Sequence, residues 1–145
     1  MYNVVVGVGN PLLGDDAVGI EVARKLKGKI SADVKVAIAG GLELAEMIAD
    51  YNFAVIVDAF YGKGVREIDV DKYRETVANH DISFPSAYRI LSKYIKMPKV
   101  RVIGVGIEKA EIREGLSEET RKSIPVAVEK IMRVMEEEEN GHDIV

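Results

Sequence analysis

The sequence contains no cysteine and no tryptophan, and the first of these absences removes whole classes of chemistry. Without cysteine there can be no disulfide, no thiolate metal ligand and no cysteine nucleophile. A basic balance is missing as well, since the formal net charge is -4 and the isoelectric point is near 5.3. A nucleic-acid-binding protein needs a basic face to neutralise phosphates, so that function is not expected.

Long apolar runs are also absent. No uninterrupted stretch approaches the roughly 20 residues that a membrane-spanning helix needs. The chain begins with the strand-like MYNVVVGVG and lacks the charged region and long apolar stretch of a signal peptide. We therefore expect a cytoplasmic protein without membrane insertion, and a monomer by default.

What is present suits one packed domain, because 145 residues with 48% hydrophobic content can bury a core. We expect the domain to cover residues 1–137. An acidic run at 136–139 introduces the remainder, and residues 138–145 are expected to form a frayed tail.

Segments of strand character alternate with segments of helical periodicity. Short β-branched runs predict strands at 3–8, 33–38, 53–57 and 100–107. Apolar residues at helical spacing predict helices containing Val18, Val22 and Leu26, then Leu44 and Ile48, then a segment from about Ser86, and a last helix after Ser117. The segment 65–71 alternates apolar and acidic residues, which is typical of a half-exposed edge strand. This alternation predicts an α/β domain with a largely parallel sheet covered on both faces.

The loop after the first strand, GVGNPLLGDDAVG at 7–19, is the most informative stretch. Its glycines predict close backbone approach or positive φ. It departs from the dinucleotide fingerprint at Leu12, and Gly14 is not followed by the lysine of a phosphate-binding loop. Asp15 and Asp16 would also repel a phosphate. Nucleotide binding at this loop is therefore disfavoured.

Asp16, Asp58 and His80 are the candidate site residues. An acid at the start of the first helix is often only a cap, but two adjacent acids leave one carboxylate free to face the strand ends. Asp58 follows an apolar strand at the edge where α/β sheets bind ligands, and His80 precedes the third predicted helix. Two carboxylates and one imidazole make a plausible site for a divalent ion such as zinc or nickel.

Four segments resemble the [NiFe]-hydrogenase maturation endopeptidases, in that family's order and spacing. They are GVGNPLLGDDAVG at 7–19, VIVDAF at 55–60, the segment around His80, and GIEKAEIREGLSEE at 106–119. The resemblance covers nearly the whole chain. It implies a doubly wound α/β domain with a five-stranded sheet, mostly parallel, with helices on both faces.

The resemblance also implies an activity. Members of the family remove a short C-terminal peptide from the large-subunit precursor of a [NiFe] hydrogenase after nickel insertion. Their metal-contacting positions correspond to Asp16, Asp58 and His80 here, and these residues read nickel that the substrate supplies. The resemblance implies neither an organic cofactor nor a resident metal.

The chemistry of cleavage stays open at this stage. No G-x-S-x-G serine elbow is present, so a metal-assisted route is the natural hypothesis, with Asp15 or Asp16 as the base. Amides of the loop, at Gly9, Asn10 and Gly14, are candidates to hold the oxyanion. Alternatively, the metal only docks the substrate and carboxylates alone hold the attacking water. A non-catalytic, nickel-sensing chaperone on the same fold is the competing function.

Overall fold

The computed structural model describes residues 2–38, 40–74 and 82–144, the last three of these by their backbone alone. In this part of the chain the elements are β1 (Asn3–Val8), α1 (Val18–Leu26), β2 (Asp33–Ala37), α2 (Gly41–Met47), β3 (Phe53–Tyr61), β4 (Val65–Ile68), α3 (Phe84–Leu91), β5 (Lys99–Ile107) and α4 (Glu118–Ile144), with 3-10 turns at Gly14–Ala17 and Val70–Lys72. The alternation of strands and helices that the sequence predicts is confirmed.

The five strands form one sheet in the order β2-β1-β3-β5-β4. Strands β2, β1, β3 and β5 run parallel, whereas β4 pairs antiparallel with β5 at the edge. The predicted edge strand is therefore confirmed, but it ends at Ile68, because Val70–Lys72 turns into a 3-10 helix.

Helices cover the two faces of the sheet in pairs. Side chains of α1 and α4 pack on one face against alternate strand residues such as Val5 and Val55. Residues of α2 and α3 pack on the other face, against the intervening residues such as Val6 and Ile56. Because both faces are covered, β1 is buried along its whole length, which explains its continuous apolar sequence. The predicted doubly wound domain is confirmed.

Two glycines allow α1 to lie unusually close to the sheet. A Cβ on Gly19 would sit 2.4 Å from the carbonyl oxygen of Val57, and a Cβ on Gly7 would sit 2.4 Å from the carbonyl oxygen of Gly19. No side chain fits at either position without moving the backbone. The glycine-rich loop thus serves helix–sheet contact, and this contact fixes the start of α1 at the carboxyl ends of β1 and β3.

The carboxyl-terminal part of the chain differs from the prediction. Helix α4 continues to Ile144, whereas a frayed tail was expected from residue 138. Part of the reason is ionic, since Lys99 Nζ lies 2.9 Å from Glu138 Oε1 and Arg101 Nη1 lies 2.8 Å from Glu137 Oε2. These contacts attach the acidic run to β5. The domain limits themselves stay a prediction.

No helix in the described ranges is both long and apolar enough to cross a bilayer.

Candidate active site

Asp16 lies in the 3-10 turn that leads into α1, at the carboxyl end of β1. Its exposed fraction is 0%, and its Oδ2 accepts a hydrogen bond of 2.9 Å from the amide of Asn10. Gly9 makes this arrangement possible, because a Cβ there would lie 2.3 Å from the carbonyl oxygen of Asp16. The loop is therefore folded back tightly on the residue that the sequence singled out.

Asp58 lies within β3, which continues to Tyr61 and does not end at Asp58 as expected from the sequence. Only 1% of Asp58 is exposed. Its Oδ1 accepts a 2.7 Å hydrogen bond from the amide of Ala59, and its Oδ2 accepts a 2.8 Å bond from the hydroxyl of Tyr73. Toward β1, however, Asp58 still lies where the pairing of the strands ends. Val57 is the partner of Gly7, and β1 stops at Val8.

The fold brings Asp16 and Asp58 to one edge. The turn that carries Asp16 packs on β3, and Gly19 at the start of α1 contacts Val57, directly before Asp58. Strands β1 and β3 are neighbours in the sheet. Two buried carboxylates at adjoining strand ends form the core of the candidate site.

Tyr73 is a site residue that the sequence analysis missed. Its hydroxyl bonds Asp58, and its ring contacts Phe84 at the start of α3 edge-on, with centroids 6.0 Å apart. The available signal was weak: a tyrosine in a polar segment is usually a surface residue. Only the fold reveals that its ring is buried and its hydroxyl directed at a carboxylate.

Asp15 behaves differently from its neighbour. Its carboxylate accepts hydrogen bonds of 2.7 Å from the amide of Ser117 and 2.8 Å from the hydroxyl of the same residue, immediately before α4. Burial raises the pKa of Asp15, but the hydrogen bonds from Ser117 outweigh it and hold the pKa below its ordinary value of 3.8. Asp15 is thus a weak base that anchors α4.

The capping interpretation of the paired acids is wrong. The N-cap of α1 is Ala17, and no side chain makes a capping hydrogen bond there. Asp15 bonds the residue before α4 and Asp16 bonds the loop behind it. Ser117, by contrast, caps α4 as predicted, because its hydroxyl accepts a 3.3 Å hydrogen bond from the amide of Thr120.

His80 lies outside the described residues, so its place in a metal site stays a prediction. Where side chains are described, in the ranges 2–38, 40–74 and 82–141, no group of three or more histidine, aspartate or glutamate side chains is placed to hold a metal ion. Asp16 and Asp58 supply carboxylate oxygens, which suit the oxygen part of a mixed nitrogen and oxygen site.

The loop amides assigned to an oxyanion already have partners. Gly9 donates to the carbonyl oxygen of Ala37 at 3.2 Å, Asn10 donates to Asp16, and Gly14 donates to the carbonyl oxygen of Arg113 at 3.2 Å. These hydrogen bonds shape the loop and leave the three donors occupied. An oxyanion role for Gly9, Asn10 and Gly14 stays a prediction, and it would require these hydrogen bonds to be exchanged.

A cleft lies next to Asp15, and neither Asp16 nor Asp58 is among the residues that line it. It has a volume of about 850 Å³ and is bounded by the turn after β3, the end of β5 and the start of α4. Lys63, Glu108 and Arg113 give it charges of both signs, and Asp15 and Ser117 form part of its wall. Its lining is therefore polar and charged, and it adjoins the candidate site through Asp15.

Fold and site together define a small, doubly wound α/β domain with an acidic site at the carboxyl edge of its sheet. Solved structures share this fold. An endopeptidase from Escherichia coli superposes with a TM-score of 0.78 at 23% identity, covering 95% of this chain and 94% of that one. The hydrogenase maturating endopeptidase HybD from Escherichia coli gives 0.71 at 22% identity, with the same coverage. The [NiFe] hydrogenase maturation protease HycI from Thermococcus kodakarensis gives 0.70 at 25% identity, with 93% and 92% covered.

Sequence relatives then identify the family. A protein of Methanocaldococcus jannaschii, named as a candidate hydrogenase maturation protease, is 30% identical, with 89% of this chain and 93% of the relative covered. The hydrogenase 2 maturation protease of Escherichia coli is 26% identical, with 94% of this chain and 92% of the relative covered. No family model matches. The chain belongs to the hydrogenase maturation protease family and is a peptidase.

Proposed function

We propose that this peptidase removes a C-terminal peptide from the nickel-loaded large-subunit precursor of a [NiFe] hydrogenase, and that it does so in the cytoplasm. The observation that carries the proposal is the meeting of Asp16 and Asp58 at one sheet edge, both buried. Burying a carboxylate costs free energy unless it is compensated, so two such residues at a ligand-binding edge indicate function. The names of the relatives indicate hydrogenase maturation, and the nickel-loaded large-subunit precursor is what the resemblance to the family implies.

In this proposal the metal belongs to the substrate. Asp16 and Asp58 contact nickel held by the precursor, and His80 supplies the imidazole that the sequence predicts. An ion bound at Oδ2 of Asp58 would compete with the hydroxyl of Tyr73, now 2.8 Å away. Nickel binding is therefore expected to depend on the position of Tyr73. The ring of Tyr73 contacts Phe84 at the start of α3.

Hydrolysis requires a water oxygen to add to the scissile carbonyl carbon, after which the carbon–nitrogen bond breaks and the amine takes a proton. Asp16 is the better candidate for the base, because Asp15 has a lowered pKa and is held by Ser117. The substrate's nickel either polarises the carbonyl or only docks the precursor. A carboxylate-held water serves as nucleophile in both cases.

The proposal is tested with purified chain and a nickel-loaded, unprocessed large subunit. We expect mass spectrometry to show loss of a C-terminal peptide, and we expect Asp16→Asn to abolish that loss. Asp16→Asn and His80→Ala should each weaken nickel binding in calorimetry while the melting temperature stays close to wild type. Unchanged nickel affinity in both variants would remove the proposed triad.

The same experiment separates the competing function. A non-catalytic, nickel-sensing chaperone would bind the loaded precursor without changing its mass. The names of the relatives, which are proteases and endopeptidases, favour cleavage. Binding without cleavage by the wild-type chain would refute the proposed peptidase reaction.

A further inference from the structure

Two large apolar side chains stand side by side in solvent at the carboxyl edge of the sheet. The exposed fraction is 73% for Leu12 and 88% for Ile112. Leu13 and Arg113 form an isolated parallel bridge, so the residues that precede them in their loops are neighbours. The carbonyl oxygen of Leu12 accepts the amide of Arg113 at 3.2 Å, which confirms the pairing. We call Leu12 and Ile112 the apolar pair.

Hydrogen bonds hold the apolar pair in this position. Asn10 Oδ1 accepts the amide of Leu12 at 2.9 Å, and the carbonyl oxygen of Asn10 accepts the amide of Leu13 at 3.0 Å. Gly14 provides the positive φ of 57° that closes the turn. A single exposed leucine needs no explanation, but two adjacent apolar side chains on a backbone fixed by bonding suggest a contact surface.

The apolar pair is continuous with the candidate active site. Asn10, whose side chain fixes Leu12, donates its own amide to Oδ2 of Asp16 at 2.9 Å. Asp15, in the same loop, bonds Ser117 at the start of α4, downstream of Ile112. A protein bound to the apolar pair would therefore also contact the loops that position the carboxylates.

We propose that the apolar pair is a docking surface for the folded part of the large-subunit precursor, an inference that rests on the proposed function. The precursor is a large protein, so its recognition needs contact area beyond the few residues at the cleaved bond. The complementary surface is an apolar patch close to its nickel centre. Glu111, Arg113 and Glu114 are exposed next to Ile112 in the sequence and carry charges of both signs, like the polar rim of a protein interface.

The test is the double variant Leu12→Ser/Ile112→Ser, assayed against the nickel-loaded precursor. Both side chains are exposed, so the fold should be kept, and circular dichroism checks this. We expect the dissociation constant of the precursor and the KM of cleavage to rise at least about tenfold, equivalent to about 1.4 kcal/mol. The kcat should change by less than about twofold, because the carboxylates are untouched. The single variants should show intermediate effects.

Tyr94→Ser is the matched control. Tyr94 is 80% exposed, but it follows α3 and precedes β5, so it lies at the amino end of the sheet, opposite the site. This variant should leave the dissociation constant, KM and kcat unchanged. An equal effect of both variants would overturn the proposal, since it would show a general loss of apolar surface.

Other outcomes also decide the question. Unchanged affinity and KM in the double variant would refute docking, and so would a fall in kcat with KM unchanged. Self-association of the wild type that the double variant abolishes would assign the pair to a second copy of the chain instead. If the wild type binds the precursor through the pair but does not cleave it, docking stands and the proposed reaction fails. If it neither binds nor cleaves, both fail.

Discussion

Two groups of acidic residues lie in different surroundings in this protein. Glu67, Glu137 and Glu138 gather around Arg101 of β5, where Arg101 Nη2 and Nε lie 2.7 and 2.8 Å from the two carboxylate oxygens of Glu67. Asp16 and Asp58, by contrast, are completely buried, and the donors that hold them include amides and a hydroxyl.

The difference separates acids that support the fold from acids suited to chemistry. A partly exposed carboxylate paired with arginine has a small desolvation cost, and the ion pairs of Arg101 attach α4 to the sheet. A buried carboxylate costs far more to desolvate, and the chain holds two of them where parallel strands end. Variants of the two groups should therefore change different properties, cleavage for one and stability for the other.

The largest effect is expected when a carboxylate of the site loses its charge, as in Asp58→Asn. The amide can still accept the Ala59 hydrogen bond and can donate to Tyr73, but it lacks the charge that a nickel ion or an attacking water needs. We expect cleavage of the loaded precursor to fall at least about 100-fold, in the range of lost acid–base groups. The free energy of unfolding should stay within about 1 kcal/mol of wild type. Full activity in this variant would show that Asp58 is structural, like Glu67.

Much of the fold was predictable because its signals are local. Buried parallel strands give continuous apolar runs, and Ser117 before two glutamates marks the start of α4. The predictions were wrong where contacts between residues distant in sequence determine the structure. The helical extension beyond residue 138 is supported by Lys99 and Arg101, which are far away in sequence.

The site was predictable in its residue identities more than in its contacts. The position of Asp16 and Asp58 follows from the rule that ligands bind where parallel strands end. The hydrogen-bond partner of Asp15 could not be predicted in this way, because Ser117 is 102 residues away in sequence. Tyr73 carries no motif, and the occupied amides of Gly9, Asn10 and Gly14 appear only when the loop is folded.

A smaller effect, on stability alone, is expected for Arg101→Met. The change removes the cation that holds Glu67 and the acidic end of α4, while the methylene stem is kept. We expect the free energy of unfolding to fall by about 1 kcal/mol, with kcat and KM unchanged. Urea unfolding at neutral pH measures this change.

Arg133→Met is the matched control for Arg101→Met. Arg133 makes one exposed pair with Glu129 within α4, with Nη2 and Oε1 3.3 Å apart. Its replacement should cost no more than about 0.5 kcal/mol. Equal losses in the two variants would contradict the view that Arg101 joins α4 to the sheet. A loss of cleavage in Arg101→Met would contradict the view that the acids around Arg101 support stability alone.

Asp15 lies between the two groups, because it belongs to the site by sequence and to the supporting acids by its contacts. Its folded pKa lies below the ordinary value of 3.8, because hydrogen bonds from Ser117 outweigh the effect of burial. The ionised form is therefore the one that folding favours. This contribution is fully present above about pH 3.8 and is lost as pH falls through the lower folded pKa.

Asp15→Asn should accordingly reduce the free energy of unfolding by about 1 kcal/mol at pH 7, the net contribution of one typical hydrogen bond. The difference from wild type should shrink as the pH is lowered below about 3.8. Urea unfolding of both proteins at pH 7, 5 and 3 gives the comparison. Cleavage by this variant should remain within about tenfold of wild type, against the loss of 100-fold or more in Asp58→Asn. A difference in unfolding free energy that does not vary with pH would mean that Ser117 recognises the shape of Asp15 and not its charge.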